Sequence, residues 1–325
     1  MVDTGELPRH TRSVARKLLK GMVVPLLGAG VNACGRPDGF LWKVGEHQYL
    51  PTGGELADYL ATEFDAPPEL AKTGDLLRVS QFIDAIERSG GELYETLHRI
   101  FDGDYLPGTV HTFLAGLPPL LRERGEQLQV ILTTNYDDAL ERAFEAAGEP
   151  YDLITYIVSS PKEYRGRFMH WPAGEPPRVI ESANDYTGLD LKERTVILKL
   201  HGAVHRLGSF DEDNYVITED HYIDYLTHGD ITMLLPSVVT ARLRNSHFLF
   251  LGYSLKDWNL RVILSRIWGQ QGLDYGSWAV QANADEMEQA VWEKRNVEIL
   301  KLDLARYIDD LTASVQERIA SEAVT

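Results

Sequence analysis

The sequence predicts an α/β protein whose core is a doubly wound, Rossmann-like parallel sheet, with a mainly helical insertion and no zinc module. Two observations lead to this class. Short apolar runs of strand length alternate with helical patterns along most of the chain, which is typical of a parallel sheet with helices on both faces. The first of these runs ends in Gly-Ala-Gly, a turn with which dinucleotide-binding units begin.

The first strand and its turn are predicted over residues 22–30. Residues 22–27 form an apolar run that is too short for a lone helix and suits a buried parallel strand. Gly28 and Gly30 take the first two glycine positions of G-x-G-x-x-G, and Ala33 takes the third. Backbone N–H groups at such a turn can bind a pyrophosphate. A tight turn that closes an ordinary strand explains so short a motif equally well.

The segment that follows the turn is predicted to be a long loop and then a helical insertion. Residues 35–54 carry Trp42, His47 and Tyr49, and we expect this loop to close over a bound ligand; a static surface loop is the alternative. Helical patterns then cover four stretches, with Pro118-Pro119 ending the last, and no strand pattern appears before about residue 127. These stretches are 55–64, 75–86, 91–101 and 108–117. The sequence therefore predicts a helical insertion over about 55–120.

A second apolar strand, about 129–132, runs directly into Thr-Thr-Asn-Tyr-Asp-Asp. In open α/β sheets, ligands bind at the carboxyl ends of the strands. Asn135 and Asp137 are therefore candidate site residues. Helix capping is an alternative role for either residue, but one cap does not explain the whole polar cluster.

In the second half of the chain, further apolar strands also end in polar residues or glycine. A small irregular insert is predicted over about 151–194, and the strand over 195–200 then delivers His201 to the same edge of the sheet. A later strand, 247–251, ends in Gly252 and Ser254. The remaining predicted elements are strands at 277–282 and 297–300 and helices at 139–147, 234–243, 259–268, 284–294 and 304–320.

Composition and charge limit the function classes. The chain has 32 Lys and Arg against 49 Asp and Glu, a net charge of −17, which argues against a nucleic-acid-binding surface as the main function. No apolar run approaches the ~18–20 residues of a membrane span, and the N-terminus lacks the apolar core of a signal peptide. Cys34 is the single cysteine, so no internal disulfide and no cysteine-rich zinc site can form. We therefore expect a cytoplasmic protein without membrane or metal.

Taken together, the polar strand ends resemble the sirtuin-like family, in the branch of NAD-hydrolase domains found in bacterial anti-phage defence proteins. The resemblance covers separated blocks over about residues 18–282. These blocks are Gly28-Ala29-Gly30, which matches the NAD phosphate turn, Thr134-Asn135-Tyr136-Asp137, His201-Gly202, Val216-Ile217-Thr218 with Tyr222, and Gly252-Tyr253-Ser254-Leu255 with Asp257.

The resemblance implies NAD⁺ glycohydrolase activity, in which NAD is the substrate and water cleaves the bond between nicotinamide and ribose. His201 is then the general base, acting on a ribose hydroxyl or on water. Asn135 holds the water or the ribose hydroxyls, and Asp137 binds the nicotinamide carboxamide. The residues implied to hold the rest of NAD are Gly28, Ala29, Gly30 and Asn32 at the pyrophosphate, Ser254 near the adenosine ribose, and Gly252.

Two other functions remain open. An NAD-dependent protein deacylase would use the same Asn135 and His201, but such enzymes carry a four-cysteine zinc module, and Asn32 stands where the family has serine. A regulatory module could bind NAD or ADP-ribose without cleaving it. The resemblance also implies a gated effector of anti-phage defence that acts by NAD depletion, with a partner such as a helicase-like ATPase or an Argonaute-type protein. We expect a homo-oligomer, because the apolar faces over 9–20 and 55–101 exceed what one sheet needs.

Overall fold

The computed structural model describes residues 7–87, 91–204, 213–227, 231–254, 258–269 and 275–323. Its strands are β1 (Val23–Leu27), β2 (Val130–Thr133), β3 (Tyr151–Tyr156), β4 (Phe168–Trp171), β5 (Arg178–Val179), β6 (Thr195–Lys199), β7 (Gly202–Ala203), β8 (Asn214–Tyr215), β9 (His247–Leu251), β10 (Ser277–Val280) and β11 (Val297–Leu300). Nine of them form one sheet in the order β11-β10-β9-β1-β2-β6-β3-β4-β5.

The strands from β11 to β3 pair in parallel, and β4 and β5 extend one edge in antiparallel fashion. β1 lies between β2 and β9. The strands that follow β1 in the chain, β2 to β6, are added on one side of it, and the later strands, β9 to β11, are added on the other side. Such a point, where the strand order reverses, is where ligands bind in open α/β sheets. The predicted doubly wound parallel sheet is confirmed.

The helices cover both faces of the sheet. They are α1 (Leu7–Leu18), α2 (Gly53–Glu63), α3 (Pro68–Ala71), α4 (Leu76–Ile86), α5 (Glu92–Phe101), α6 (Thr109–Ala115), α7 (Pro118–Glu123), α8 (Ala139–Ala146), α9 (Glu219–Thr227), α10 (Ile231–Leu234), α11 (Ser237–Arg244), α12 (Trp258–Trp268), α13 (Glu286–Glu293) and α14 (Leu304–Glu322). Among the described helices, none has the length and apolar character that crossing a membrane requires.

Alternate residues of each strand pack into different cores, as the period of two requires. On β1, Val23 and Leu27 face the core that α1, α6, α8 and α14 cover. Val24 and Leu26 face the opposite core, beneath α11, α12 and α13. All five residues of β1 are buried, which explains why its sequence is a continuous apolar run rather than an alternating one.

Helices α2 to α5 form a separate helical layer with its own core. Leu60, Ile83 and Leu97 are fully buried within it, and Trp42 from the preceding loop joins them. Among the described residues, no strand lies between β1 and β2, as the predicted insertion requires. The helix predicted over 108–117 is α6, which ends at Ala115, before Pro118-Pro119. A further helix that was not predicted, α7, begins at these prolines, because proline is tolerated in the first turn, whose N–H groups need no partner within the helix.

Two further segments differ from expectation. Residues 151–194, expected as a small irregular insert, supply β3, β4 and β5 to the main sheet. The helix expected over 234–243 begins three residues later, as α11, because Pro236 stands at its N-cap, and Leu234 instead ends the separate helix α10. Proline disfavours helical geometry in the residue that precedes it, which explains the break.

The N-terminal helix is covered within the chain. Val14 and Leu18 of α1 share a core with Leu311 and Val315 of α14, and the hydroxyl of Ser314 donates to Thr11 at 2.9 Å. The helices over 55–101 likewise bury their apolar faces in their own layer. The surplus apolar faces from which a homo-oligomer was predicted are therefore occupied, and the oligomeric state stays a prediction.

His10 makes the packing of α1 sensitive to pH. Its Nε2 lies 3.1 Å from the Tyr307 hydroxyl and its ring contacts Trp278 edge-on. Burial, aided by Lys17, lowers the pKa of His10 from 6.5 to about 4. The folded state therefore resists protonation between these values, while the unfolded chain accepts the proton.

We expect His10 to contribute stability that is fully present above pH 6.5 and is lost as pH falls to about 4. Urea unfolding at several pH values would measure this for the wild type and for His10→Gln. The variant should show a flatter decline of the free energy of unfolding in that window. Parallel declines for the two proteins would contradict the prediction.

Candidate functional site

A cleft of about 760 Å³ opens at the carboxyl edge of the sheet, beneath the helical layer. This size lies within the range of small-ligand sites. The strand ends supply Ala29, Gly30, Asn32, Asn135, Asp137, His201, Gly252 and Ser254 to its lining. Of the predicted site residues, Gly28 alone does not line the cleft. The helical layer contributes a wall that the sequence did not indicate, including Leu56, Asp75, Leu76, Leu77 and Phe101.

The backbone of the glycine turn after β1 is in direct contact with the backbone of the turn after β9, and the two turns cross there. The N–H of Gly30 donates to the Gly252 carbonyl oxygen at 2.7 Å. A Cβ at Gly30 would stand 2.5 Å from that oxygen. Gly252 has φ +62°, and a Cβ there would stand 2.2 Å from the Val31 nitrogen. Glycine is therefore required on both sides of the crossing.

This crossing changes what the turn offers to a phosphate. The N–H of Gly28 donates to Leu251 at 3.1 Å and that of Gly30 to Gly252, so both donors are engaged within the protein. The turn instead lets a ligand approach the backbone closely. The short 3₁₀ helix that begins at Ala29 forms this side of the cleft.

On the facing wall, the N-terminus of α2 reaches the cleft. Thr52 caps the helix by accepting from the Glu55 N–H at 3.3 Å. Gly53 and Gly54 follow and line the cleft, and a Cβ at either would meet nothing within 4 Å. Their N–H groups are among the first four of the helix, which have no acceptor inside it.

Asn135 and Asp137 are both buried at the end of β2. The amide nitrogen of Asn135 donates to the Gly28 carbonyl oxygen at 3.4 Å, which ties it to the first turn. Asp137 Oδ1 accepts from the Ala139 N–H at 3.1 Å and so caps α8. Asp137 Oδ2 is buried and has no hydrogen-bond partner in the part of the chain that the structure describes. Capping therefore explains one oxygen and leaves the other without a described partner.

A buried ion pair supports the loop between β2 and α8, which carries Asn135 and Asp137. Lys199 Nζ, at the end of β6, lies 2.5 Å from Glu141 Oε1 of α8 and also donates to the backbone carbonyl of Asp137. Burial raises the pKa of Glu141, and Lys199 opposes that shift. This pair was not predicted from the sequence, where a lysine that ends an otherwise apolar strand is the available signal.

His201 lies at the end of β6, only 3% exposed. Its Nδ1 lies 3.2 Å from the hydroxyl of Tyr222 on α9, and the two rings meet edge-on. Gly202 has φ +82°, and a Cβ there would stand 2.0 Å from the Asn214 carbonyl oxygen. The glycine after His201 is therefore required by the close pairing of β7 with β8. Tyr222 orients the imidazole, a role that the sequence did not assign.

The loop over 35–54 is tied down at several points. Arg36 binds the Glu55 carboxylate at 2.8 Å and the Asn32 carbonyl at 3.0 Å. Trp42 is buried against Tyr59, and His47 stacks on Tyr105 of the helical layer. The aromatic residues that suggested a lid are thus accounted for by packing. Closure over a ligand stays a prediction.

The last motif is only partly described. Ser254 is exposed at the rim of the cleft, and Asn259 from α12 lines the same cleft. Asp257 lies outside the described residues. In the described part of the chain, no group of three or more His, Cys, Asp or Glu side chains is arranged to hold a metal.

Lys199→Met should destabilise the fold strongly, because it leaves the Glu141 carboxylate buried without its partner. We expect a loss of about 3–5 kcal/mol in the free energy of unfolding, measured by urea denaturation. The double variant Lys199→Met with Glu141→Leu removes both charges and should recover much of that loss. A single variant as stable as the wild type would show that the pair does not matter.

Comparison with known proteins identifies the family of this chain. Residues 129–300, more than half of it, match the SIR2-like domain family. NAD(+) hydrolase ThsA of Acinetobacter baumannii (strain 532279) is 26% identical over 257 residues, which are 78% of this chain and 41% of that protein's length. A solved structure from work on the mechanism and regulation of Sir2 enzymes covers 95% of this chain and 98% of its own, with 15% identity and a TM-score of 0.43. The chain belongs to the SIR2-like family.

Proposed function

We propose that this chain is an NAD⁺ glycohydrolase, which hydrolyses the bond between nicotinamide and ribose to give nicotinamide and ADP-ribose. The observation that carries the proposal is the shared cleft: Asn135, Asp137 and His201, from neighbouring strand ends, line it together. The similarity to a relative named as an NAD(+) hydrolase supports this reaction.

His201 is proposed as the general base. Cleavage of a glycosidic bond passes through an oxocarbenium-like transition state, so a base that deprotonates a ribose hydroxyl or the attacking water assists it. An imidazole suits this role near neutral pH. With Nδ1 held at the Tyr222 hydroxyl, Nε2 is the nitrogen that we assign to proton transfer.

Asp137 and Asn135, which follow β2, are proposed to orient the nicotinamide and the ribose or water. The buried, unpartnered Oδ2 of Asp137 suits the N–H₂ group of the nicotinamide carboxamide, which would satisfy it. The amide nitrogen of Asn135 is directed to Gly28, so its side-chain oxygen is the atom that we assign to the water or to the ribose hydroxyls. Orientation of these groups lowers the entropic part of the barrier.

The phosphates are proposed to lie between two backbone walls. The turn from Ala29 to Asn32 allows close approach, and Gly53 and Gly54 present N–H groups at the positive end of α2. Ser254 and Gly252, at the rim, are assigned to the adenosine ribose.

The resemblance to anti-phage defence proteins extends the proposal. An ungated NAD⁺ hydrolase would deplete a cofactor that the cell needs, so we propose that this chain is a gated effector in the cytoplasm. Assembly into a homo-oligomer, or a partner such as a helicase-like ATPase or an Argonaute-type protein, would supply the gate.

The central test is product analysis. His201→Ala should lower kcat for NAD⁺ cleavage by about 10²–10⁴, and Asn135→Ala should also abolish measurable turnover. Asn245→Ala, at an exposed position at the end of α11, is the control and should keep full activity. Formation of O-acetyl-ADP-ribose from NAD⁺ and an acetylated peptide would indicate deacylation instead. NAD binding without turnover in an assembled sample would indicate a regulatory module.

Tyr222→Phe tests how the imidazole is held. Loss of one orienting hydrogen bond should lower kcat by roughly tenfold or less and leave the KM for NAD⁺ nearly unchanged. Tyr225→Phe is the matched control, since that ring also lies near His201 but its buried hydroxyl has no hydrogen-bond partner among the described residues. Equal effects of the two variants would refute the positioning role of Tyr222.

A further inference from the structure

A second groove, of about 460 Å³, lies between α1 and α14 and shares no lining residue with the cleft. Four arginines line it: Arg9, Arg12 and Arg16 from α1 and Arg318 from α14. The protein as a whole carries a net charge of −17. A concentration of guanidinium groups on so acidic a chain calls for a specific explanation.

The arginines of α1 are not used to hold the fold together. No described carboxylate lies within 4.0 Å of Arg9, Arg12 or Arg16, and all three side chains are exposed. Arg318, by contrast, pairs with Glu322 at 2.6 Å at one end of the groove. Three cations therefore face the groove with no described counter-charge in contact.

This arrangement is unfavourable for α1 alone. Like charges three and four residues apart repel along a helix, as Arg9, Arg12 and Arg16 do. Arg9 stands in the first turn of α1, which holds no acidic residue, so its charge also opposes the positive end of the helix dipole. An anion bound in the groove would relieve both effects.

The lining favours phosphate. All four cations are arginines, whose planar guanidinium groups bind phosphate oxygens in pairs. Ser13, Ser314 and Ser321 also line the groove, although the hydroxyls of Ser314 and Ser321 donate within the protein, to Thr11 and to the Arg318 carbonyl. One carboxylate, Glu317, also lines the groove, so the arginines outnumber it four to one.

We infer that this groove binds a small polyphosphate, such as the diphosphate or triphosphate group of a nucleotide. Its volume lies within the range of small-molecule sites. The arginine row spans only about 10 Å, because Arg9 and Arg16 are seven helical steps of about 1.5 Å apart, and the acidic remainder of the chain repels a long polyanion. A small ligand therefore suits the groove better than a nucleic acid. This site goes beyond the proposed hydrolase reaction, which uses the other cleft.

Titration calorimetry with inorganic tripolyphosphate, on the full chain without NAD, tests the inference. The wild type should bind with an affinity that falls as salt is added. Arg12→Gln with Arg16→Gln should weaken binding by roughly tenfold or more, because two charge-assisted contacts are lost. The control pair, Arg99→Gln with Arg306→Gln, makes the same change of charge at exposed positions outside the groove and should stay within about twofold of the wild type.

Glu317→Gln provides a second variant if the arginine pair does not fold. Removing this carboxylate should strengthen tripolyphosphate binding by several-fold. Equal affinity of both arginine pairs, absence of binding, or no gain in Glu317→Gln would overturn the inference. So would tighter, arginine-dependent binding of a twelve-nucleotide single-stranded DNA, which would assign the groove to nucleic acid. NAD⁺ cleavage plays no part in these measurements, so their outcome is independent of the proposed reaction.

Discussion

The contact between two backbone turns is the constraint on which the site depends. Leu27 and Leu251 are paired where β1 and β9 end, and the two turns then cross with Gly30 bonded to the Gly252 carbonyl at 2.7 Å. A side chain at either glycine would force the strand ends apart. Asn135 bonds to the Gly28 carbonyl, so the position of the candidate catalytic amide depends on the same crossing.

Two further side chains, Lys199 and Tyr222, hold the candidate site residues in position. Lys199 fixes the backbone of Asp137, and Tyr222 fixes the ring of His201. Each support comes from a different element, which couples β6, α8 and α9 around one edge of the sheet. A site built on strand ends and held by such contacts has these groups oriented without a ligand, as the proposed bond cleavage requires.

The sequence predicted the features that local pattern determines. Apolar runs located the strands, and the polar residues after them identified Asn135, Asp137 and His201, because parallel strands bring their carboxyl ends to one edge. The sequence could not show that β4 and β5 join the same sheet, since antiparallel edge pairing depends on partners far along the chain. Nor could it show that α2 to α5 wall the cleft, or that Lys199 meets Glu141, because both are outcomes of tertiary packing.

The distribution of positive charge bears on turnover. The residues described as lining the cleft include no lysine or arginine, so the pyrophosphate of the proposed substrate would meet backbone dipoles and the N-terminus of α2. Partial charges of that kind hold a dianion more weakly than guanidinium groups do. ADP-ribose keeps both phosphates of NAD⁺, so a cleft lined with arginines would bind product as firmly as substrate. The proposed reaction, which must release ADP-ribose, is served better by backbone contacts, and four of the chain's arginines stand in a separate groove.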